Sequence, residues 1–233
     1  MAANQLYING TWRDASDGGT FEVLNPADES VIGSVASATV EDAALALDAA
    51  EAAFDGWRQR SPRERSEILR KAFELASAKR DEIARLITLE NGKALPDAMG
   101  EATYAAEFFR WYAEEAVRPE GHIGMAPATG ARILVHQKPA GIGVLVTPWN
   151  FPAAMGTRKI APALAAGCPV VIKPASETPF TMLALMPILE EAGVPPGVVN
   201  VLPTSSAGPV VGAMMHDQRV RIISFTGSTQ VGR

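Results

Sequence analysis

The chain has 233 residues, of which 47% are hydrophobic and 20% charged, and it carries a net charge of −5 with a pI near 5.3. This composition is typical of a folded protein with one large or two small domains, and it argues against disorder. The acidic balance and the lack of a Lys/Arg cluster argue against binding to a nucleic-acid backbone.

Cellular location is indicated by what the sequence lacks. The single cysteine, Cys168, excludes an internal disulfide and suits a reducing compartment. No basic segment followed by an apolar run marks the N-terminus, so we expect a cytoplasmic protein without an export signal. The uncharged stretch 139–157 is interrupted by prolines and glycines, which argues against a membrane-spanning helix.

The first part of the chain, 1–131, predicts short strands followed by helices. Residues 7–12 predict a hairpin that turns at Asn9-Gly10, and 31–35 a further strand. Thr39 is placed to cap a helix reaching residue 54, and Ser61-Pro62-Arg63-Glu64 is a complete helix start signal. Further helices are predicted over 83–89, before Asn91-Gly92, and from about 96 to 116.

The next part, 132–147, predicts a hairpin that leads into the first core strand. Its strand-like segments, 132–137 and 143–147, flank a Pro-Ala-Gly turn. From 148 to 233, helices alternate with strands rich in β-branched residues: helices over 153–166, 178–192 and 207–215, and strands over 170–173, 198–202 and 221–225. This alternation predicts a doubly wound α/β fold with a parallel sheet.

Three strand ends carry residues suited to binding. Asn150 follows the first core strand, Lys173 and Ser176 end the second, and Gly227-Ser228 follow the last. Doubly wound sheets bind ligands at the carboxyl ends of their strands, and a glycine-hydroxyl loop can hold a diphosphate. Spacing alone leaves plainer structural interpretations open, namely a turn-forming Asn, a solvated Lys and a helix-capping Ser.

The motifs at these strand ends resemble successive signatures of the aldehyde dehydrogenase superfamily. They are Pro148–Pro152, Lys173–Pro179 and Phe225–Thr229, and their order and separations also match. The resemblance covers essentially the whole chain, including 24–26 and 88–93. The segment 155–159 is most similar to members that act on succinate semialdehyde, in which an arginine meets the substrate carboxylate.

The resemblance implies oxidation of an aldehyde to an acid with NADP or NAD. In the family a cysteine thiolate attacks the aldehyde, hydride passes to the cofactor, and a glutamate-activated water releases the acid. It further implies these roles: Asn150 as oxyanion donor, Trp149 and Asn150 beside the nicotinamide, Lys173, Ala175 and Ser176 beside the adenosine ribose, Gly227 and Ser228 at the diphosphate, and Arg158 at the substrate carboxylate. The family assembles as dimers or tetramers through the hairpin, so we expect a homo-oligomer.

One departure from the family concerns the nucleophile. In relatives the catalytic cysteine and glutamate follow the Phe-Thr-Gly-Ser motif, and this sequence stops at Arg233. We therefore expect the 233 residues to be an N-terminal half that is inactive alone, with Cys168 a structural residue. The alternatives are a nucleotide-binding module without chemistry and a dehydrogenase for another aldehyde, such as an aromatic one. His122, His136 and His216 are isolated, so no metal site is expected.

Cofactor choice is indicated by Ser176. Many NAD-preferring relatives have a glutamate at this position, where its carboxylate repels a 2′-phosphate. With Ser176 and the charge of Lys173 nearby, the resemblance implies that NADP is used at least as well as NAD. Glu177 is expected to point away from the ribose.

Overall fold

The computed structural model describes residues 4–233. Its strands are β1 (Leu6–Ile8), β2 (Thr11–Arg13), β3 (Thr20–Leu24), β4 (Val31–Ala36), β5 (His122–Met125), β6 (Arg132–Val135), β7 (Ile142–Val146), β8 (Val170–Lys173), β9 (Val199–Val201) and β10 (Val220–Phe225). Its helices are α1 (Val40–Gln59), α2 (Pro62–Ala78), α3 (Arg80–Asn91), α4 (Leu95–Glu115), α5 (Ala154–Ala165), α6 (Pro179–Ala184), α7 (Met186–Ala192), α8 (Ala207–His216) and α9 (Thr229–Gly232). Within these described residues, no helix is both long and apolar enough to cross a membrane.

The central sheet has the strand order β10-β7-β8-β9-β1-β2. The first four strands are parallel, which confirms the predicted doubly wound α/β fold. The chain runs from β7 outward to β8 and β9 and then returns to place β10 on the other side of β7. The strand order therefore reverses between β7 and β10, and a ligand crevice is expected at that switch point.

The N-terminal hairpin completes this sheet. The predicted turn is confirmed, since Asn9 and Gly10 have φ angles of 53° and 74°, as a type I′ turn requires. The antiparallel pairing of β1 with β9, through Tyr7 and Val201, was not predicted from the sequence. The sheet is consequently mixed rather than wholly parallel.

Both faces of the interior strands β7, β8 and β9 are buried, because helices cover each side, whereas β10 is largely exposed. Side chains alternate along β7: Leu145 belongs to the core cluster formed with helices α2–α7, whereas Val144 and Val146 belong to the cluster formed with α1 and α8. All five residues of β7 are buried. A strand with apolar residues on both faces is typical of the interior of a parallel sheet. Burial on both faces holds the strand in place and with it the start of the loop that follows.

The prediction of a hairpin over 132–147 is wrong in its pairing. β6 pairs with β5, forming a separate two-stranded sheet over 122–135, and β7 pairs with β8 and β10 instead. The four residues of β6 are exposed, whereas β7 is apolar on both faces and is stabilised by burial in the main sheet. The division of the chain at 131 and 147 into three parts stays a prediction.

The predicted helix over 178–192 is interrupted. The structure has two helices, α6 and α7, that meet at Leu185. Pro187 explains the break, because it lacks an N–H group and its ring crowds the carbonyl four residues earlier.

The two predicted helix starts are confirmed. The Thr39 side chain accepts a hydrogen bond from the Asp42 amide, and the Asp42 carboxylate accepts one from the Thr39 amide. Ser61 and Glu64 exchange the same pair of bonds at the start of α2. These local signals fix where the helices on both faces of the sheet begin.

Gly197 provides a test of the packing between α1 and the turn before β9. Its φ is +81°, and an added Cβ would lie 2.5 Å from the Ala49 carbonyl oxygen. We expect Gly197→Ala to lower the free energy of unfolding by about 3 kcal/mol, from left-handed backbone strain plus overpacking. Gly18 is a matched control, because its φ is +71° and no atom lies within 4 Å of an added Cβ.

Gly18→Ala should lower the free energy of unfolding by only about 1 kcal/mol, from backbone strain alone. Urea unfolding of both variants measures the difference. Equal losses would contradict the close approach of α1 to Gly197.

Candidate functional site

Strand register brings the three predicted strand ends together. Val146, the last residue of β7, pairs with Lys173 of β8 on one side and with Phe225 of β10 on the other. Beyond the strands, the Thr147 amide donates to the Lys173 carbonyl at 3.2 Å and the Thr226 amide to the Val146 carbonyl at 3.1 Å. Neighbouring strands lie about 4.8 Å apart, so the loops that follow them border one crevice.

The loop after β7 carries Asn150. Its side chain is exposed and forms no hydrogen bond with any residue in the described range 4–233. The neighbouring Trp149 side chain is 55% exposed. The Asn150 carboxamide is therefore free to donate to a ligand in the crevice, and the Trp149 indole offers a flat apolar surface beside it.

The backbone of this loop is held by the end of α3. The Asn91 carboxamide donates to the Trp149 carbonyl, and the Lys93 ammonium donates to the Asn150 carbonyl, both at 2.9 Å. The Lys93 nitrogen also lies 3.9 Å from the centre of the Phe151 ring. Between them, Gly92 ends the helix in a left-handed conformation, which turns the chain so that both side chains reach the loop.

A buried carboxylate from α4 completes the support. Glu101 accepts hydrogen bonds from the Ala153 amide at 2.9 Å and the Ala154 amide at 3.3 Å, and it pairs with Lys93. These amides open α5, which has no cap from its own N-terminal side chain. Glu101 thus satisfies helix N-terminal donors, where a negative charge is favourable.

The segment after β8 presents a buried cation. Lys173 is 8% exposed, and its ammonium has no hydrogen-bond partner among the residues described. Burial lowers the pKa of Lys173, and the nearby charge of Glu177 acts in the opposite direction. The ammonium is not among the fully buried unpartnered atoms, so it reaches solvent at the end of a mostly buried side chain, where it can donate to hydroxyl or phosphate oxygens; Ala175 beside it is buried.

The orientation of Glu177 relative to the ribose stays a prediction, but its contact with Ser176 bears on the choice of cofactor. The Ser176 hydroxyl donates to the Glu177 carboxylate at 3.0 Å, so this carboxylate lies beside Ser176 rather than away from it. Both side chains are on the first turn after a buried strand end, which leaves them free to meet. A negative charge at this place works against the binding of a 2′-phosphate.

Glu90 anchors the helix that follows this segment. Its buried carboxylate accepts hydrogen bonds from the Phe180 and Thr181 amides of α6, each at 2.8 Å. Burial raises the pKa of Glu90 to about 7, although these hydrogen bonds act to lower it. The last turn of α3 and the residues after it therefore touch both loops, since Glu90 holds one and Asn91 and Lys93 hold the other.

Sequence reasoning missed these supporting roles. The segment 88–93 was identified only as part of a family resemblance, without a function for its side chains. Glu101 carried no signal at all, because its partners Ala153 and Ala154 are some 50 residues away along the chain.

The loop after β10 is compact. The Ser228 hydroxyl accepts a hydrogen bond from the Val231 amide at 3.3 Å and so caps α9, which agrees with the plainer structural interpretation of this serine. Its O–H hydrogen remains available to a ligand. A Cβ on Gly227 would lie 2.6 Å from the tip of the Phe225 ring, so a larger residue at this position would require that ring to move.

Lys159 ties the two sides of the switch point. Its buried ammonium donates to the Val146 carbonyl at 2.7 Å and to the Ser224 carbonyl at 2.8 Å. Burial lowers the pKa of Lys159 to about 8, and the charge of Arg158 contributes to the decrease. These bonds join β7 to β10 next to the crevice.

Arg158 lies on α5 and lines a cavity of about 610 Å³ between that helix and the sheet. Met155, Ser224 and Thr226 line the same cavity, whereas Asn150 does not. The cavity extends along the strands from Thr226 to Cys168, so the structure brings Arg158 into the same cavity as the Thr226 strand end but not together with Asn150.

Cys168 lies at the amino-terminal end of β8, whereas the predicted site residues lie at the carboxyl ends of the strands. It is buried and precedes β8, whereas Lys173 ends that strand. Four residues of strand separate these edges by about 13 Å. The part of the chain that the structure describes contains no group of three or more His, Cys, Asp or Glu side chains arranged to hold a metal ion.

Comparisons with known proteins bear on this site. The model of the aldehyde dehydrogenase family matches residues 12–233. The chain is 48% identical to a glutarate-semialdehyde dehydrogenase of Pseudomonas putida, covering 98% of this chain and 48% of the relative. It is also 48% identical to the succinate-semialdehyde dehydrogenase [NADP(+)] of Escherichia coli, over 98% of this chain and 47% of that protein.

Among solved structures, the fold is similar to that of a Staphylococcus aureus betaine aldehyde dehydrogenase mutant in complex with NAD+. The TM-score is 0.95 at 31% identity, and the match covers all of this chain and 48% of the other. The chain thus spans about half the length of the relatives that it matches.

The raised pKa of Glu90 predicts a pH-dependent stability. Between its ordinary value of 4.5 and about 7, the folded chain keeps a proton that the unfolded chain has released. The free energy of unfolding should therefore fall as pH rises through this window, by at most about 1.4 kcal/mol per pH unit from this group.

Glu90→Gln removes the titrating group, so wild type should lose stability relative to this variant as pH rises from 5 to 7. Urea unfolding of the two proteins at several pH values measures the change. Parallel stability curves would show that Glu90 does not titrate in this range.

Proposed function

Because the chain belongs to the aldehyde dehydrogenase family, we propose that it forms the cofactor-binding half of an enzyme that oxidises an aldehyde with NADP or NAD. One observation carries the proposal: the Asn150 carboxamide and the Lys173 ammonium, neither of which has a hydrogen-bond partner among the described residues, lie at the carboxyl ends of the adjacent strands β7 and β8, beside the switch point between β7 and β10. Doubly wound sheets bind dinucleotides at this place.

The dinucleotide is proposed to lie across the three strand ends. Lys173 and Ser176 bind the adenosine ribose, next to the buried Ala175. Gly227 and the Ser228 hydroxyl bind the diphosphate. Trp149 and Asn150 border the nicotinamide. The Lys173 ammonium supports this assignment, because it has no hydrogen-bond partner among the described residues and is free to donate to ribose oxygens.

Asn150 is proposed to stabilise the negative charge that develops on the aldehyde oxygen. Its carboxamide is an uncharged donor, and its freedom from other hydrogen bonds among the described residues supports this role. The bound nicotinamide supplies the acceptor for the hydride. The nucleophile and the base are proposed to come from the part of the protein that relatives have and these 233 residues do not include, since Cys168 is buried at the opposite edge of the sheet.

Succinate semialdehyde is the proposed substrate. The Escherichia coli relative is named for this aldehyde and the Pseudomonas putida relative for glutarate semialdehyde, and both compounds carry a carboxylate at the end away from the aldehyde. Arg158 lines a cavity whose other residues are mostly apolar and include the lysine Lys159. A cation there suits a distal carboxylate, to which guanidinium groups bind bidentately.

The hairpin of β5 and β6 is the proposed oligomerisation element. It exposes apolar side chains that include Ile123 at 76% and Leu134 at 59%, more than an isolated two-stranded sheet is expected to leave in water. We propose a homo-oligomer, dimer or tetramer, located in the cytoplasm.

Arg158→Ala should lower kcat/KM for succinate semialdehyde roughly 10- to 150-fold in the complete protein, because a charge-assisted contact contributes about 1.5–3 kcal/mol. Butyraldehyde, which lacks the carboxylate, should be oxidised almost as fast as by wild type. Reduction of NADP followed by absorbance measures both. Equal losses on the two aldehydes would show that Arg158 is structural, and no aldehyde-dependent reduction by wild type would refute the proposed function.

Cofactor preference should be set by two neighbouring side chains. We expect NADP to be used at least as well as NAD, Ser176→Glu to lower kcat/KM for NADP at least tenfold by repulsion of the 2′-phosphate, and Glu177→Gln to raise it. Steady-state kinetics with both cofactors tests this. A wild type that prefers NAD more than tenfold, or a Ser176→Glu variant with undiminished NADP use, would exclude this position as the phosphate reader.

A further inference from the structure

We propose that Lys93 is a positioning residue that fixes Asn150 in the orientation needed to bind the aldehyde oxygen, with Glu101 holding Lys93 in place. The inference rests on the function proposed above. It assigns a role to two side chains that do not reach the crevice themselves and act through the backbone of the loop after β7.

Lys93 and Glu101 hold the loop after β7 at two places. At the first, the Lys93 ammonium donates to the Asn150 carbonyl at 2.9 Å and lies 3.9 Å from the centre of the Phe151 ring. At the second, Glu101 accepts from the Ala153 and Ala154 amides. The direct Lys93–Glu101 ion pair connects these two sets of hydrogen bonds, so one pair of side chains holds the segment from Asn150 to Ala154.

This arrangement leaves the Asn150 side chain free while it fixes the peptide that carries it. A carbonyl held in place orients the peptide plane and, with it, the direction in which the Cβ leaves the backbone. The Asn91 bond to the Trp149 carbonyl fixes the preceding peptide in the same way. Oxyanion donors are effective only when they are held in position before the reaction.

The burial of Lys93 and its pairing with Glu101 argue against a direct electrostatic effect of Lys93 on the reacting oxygen. Its side chain is 15% exposed, and the carboxylate of Glu101 is fully buried. The two opposite charges compensate each other, so Lys93 does not offer a free positive charge to a developing oxyanion. Its effect on the reaction must pass through the position of Asn150.

The test is a mutant cycle in the complete protein. Lys93→Met alone leaves the buried Glu101 charge unpaired and endangers folding. We therefore combine it with Glu101→Gln, whose amide oxygen still accepts from Ala153. This neutral pair should lower kcat roughly 10- to 100-fold, since misplacing a catalytic group by about 1 Å has effects of this size. KM for NADP should change less than about threefold, because the interaction that is lost is made only in the transition state.

Non-additivity identifies positioning. Asn150→Ala should lower kcat by roughly 10²–10³, and adding the neutral pair to Asn150→Ala should reduce it no further, because the donor being positioned is gone. Lys93→Arg, which keeps a donor, should recover part of kcat. Lys71→Met removes a lysine from the exposed face of α2 and is the matched control, with kcat unchanged.

Hydrogen exchange gives a readout independent of activity. In the neutral pair, the peptide covering 149–154 should exchange faster, and β7 over 142–146 should not change. Multiplicative losses in the cycle, or unchanged kcat in the neutral pair, would overturn the proposal. A wild type that binds NADP but oxidises no aldehyde would refute the proposed function. Unaltered exchange at 149–154 in the neutral pair would separately refute the claim that Lys93 and Glu101 hold this loop in place.

Discussion

Buried carboxylates bonded to backbone amides are the constraint on which the crevice depends. Glu90 holds the first amides of α6, and Glu101 holds those of α5. A buried carboxylate is strongly unfavourable unless hydrogen bonds or an opposite charge compensate it. The two helices therefore cannot shift away from α3 and α4 without leaving a buried carboxyl group without hydrogen bonds, and the loops before them are fixed at the same time.

Across the switch point, a buried lysine has the corresponding structural role. Lys159 donates hydrogen bonds to carbonyls of β7 and β10, and so joins the strands whose ends border the crevice. Groups that hold the structure are thus satisfied within the protein. Asn150 and Lys173 have no such partners among the described residues and remain available to a ligand. An unsatisfied polar group at a well-supported strand end is what a binding site requires.

Local features of this fold were predictable from the sequence, and distant contacts were not. Capping boxes at Thr39 and Ser61, and the strand-helix alternation after 148, depend on neighbours within a few residues. The pairing of β1 with β9 joins segments nearly 200 residues apart, as the bond from the Asn9 amide to Asn200 illustrates. The hairpin was misplaced because two adjacent strand-like segments, β6 and β7, differ in burial rather than in local pattern.

For the site, the sequence indicated which strand ends meet but not what holds them. These three strand ends are proposed to form one dinucleotide site. Hydrogen–deuterium exchange of the protein with and without NADP tests this most directly. Slower exchange with NADP is predicted at 147–151, 173–177 and 226–229 together, with the β5–β6 hairpin unaffected. Binding of NADP without protection at these segments, or with protection at only one of them, would contradict the account.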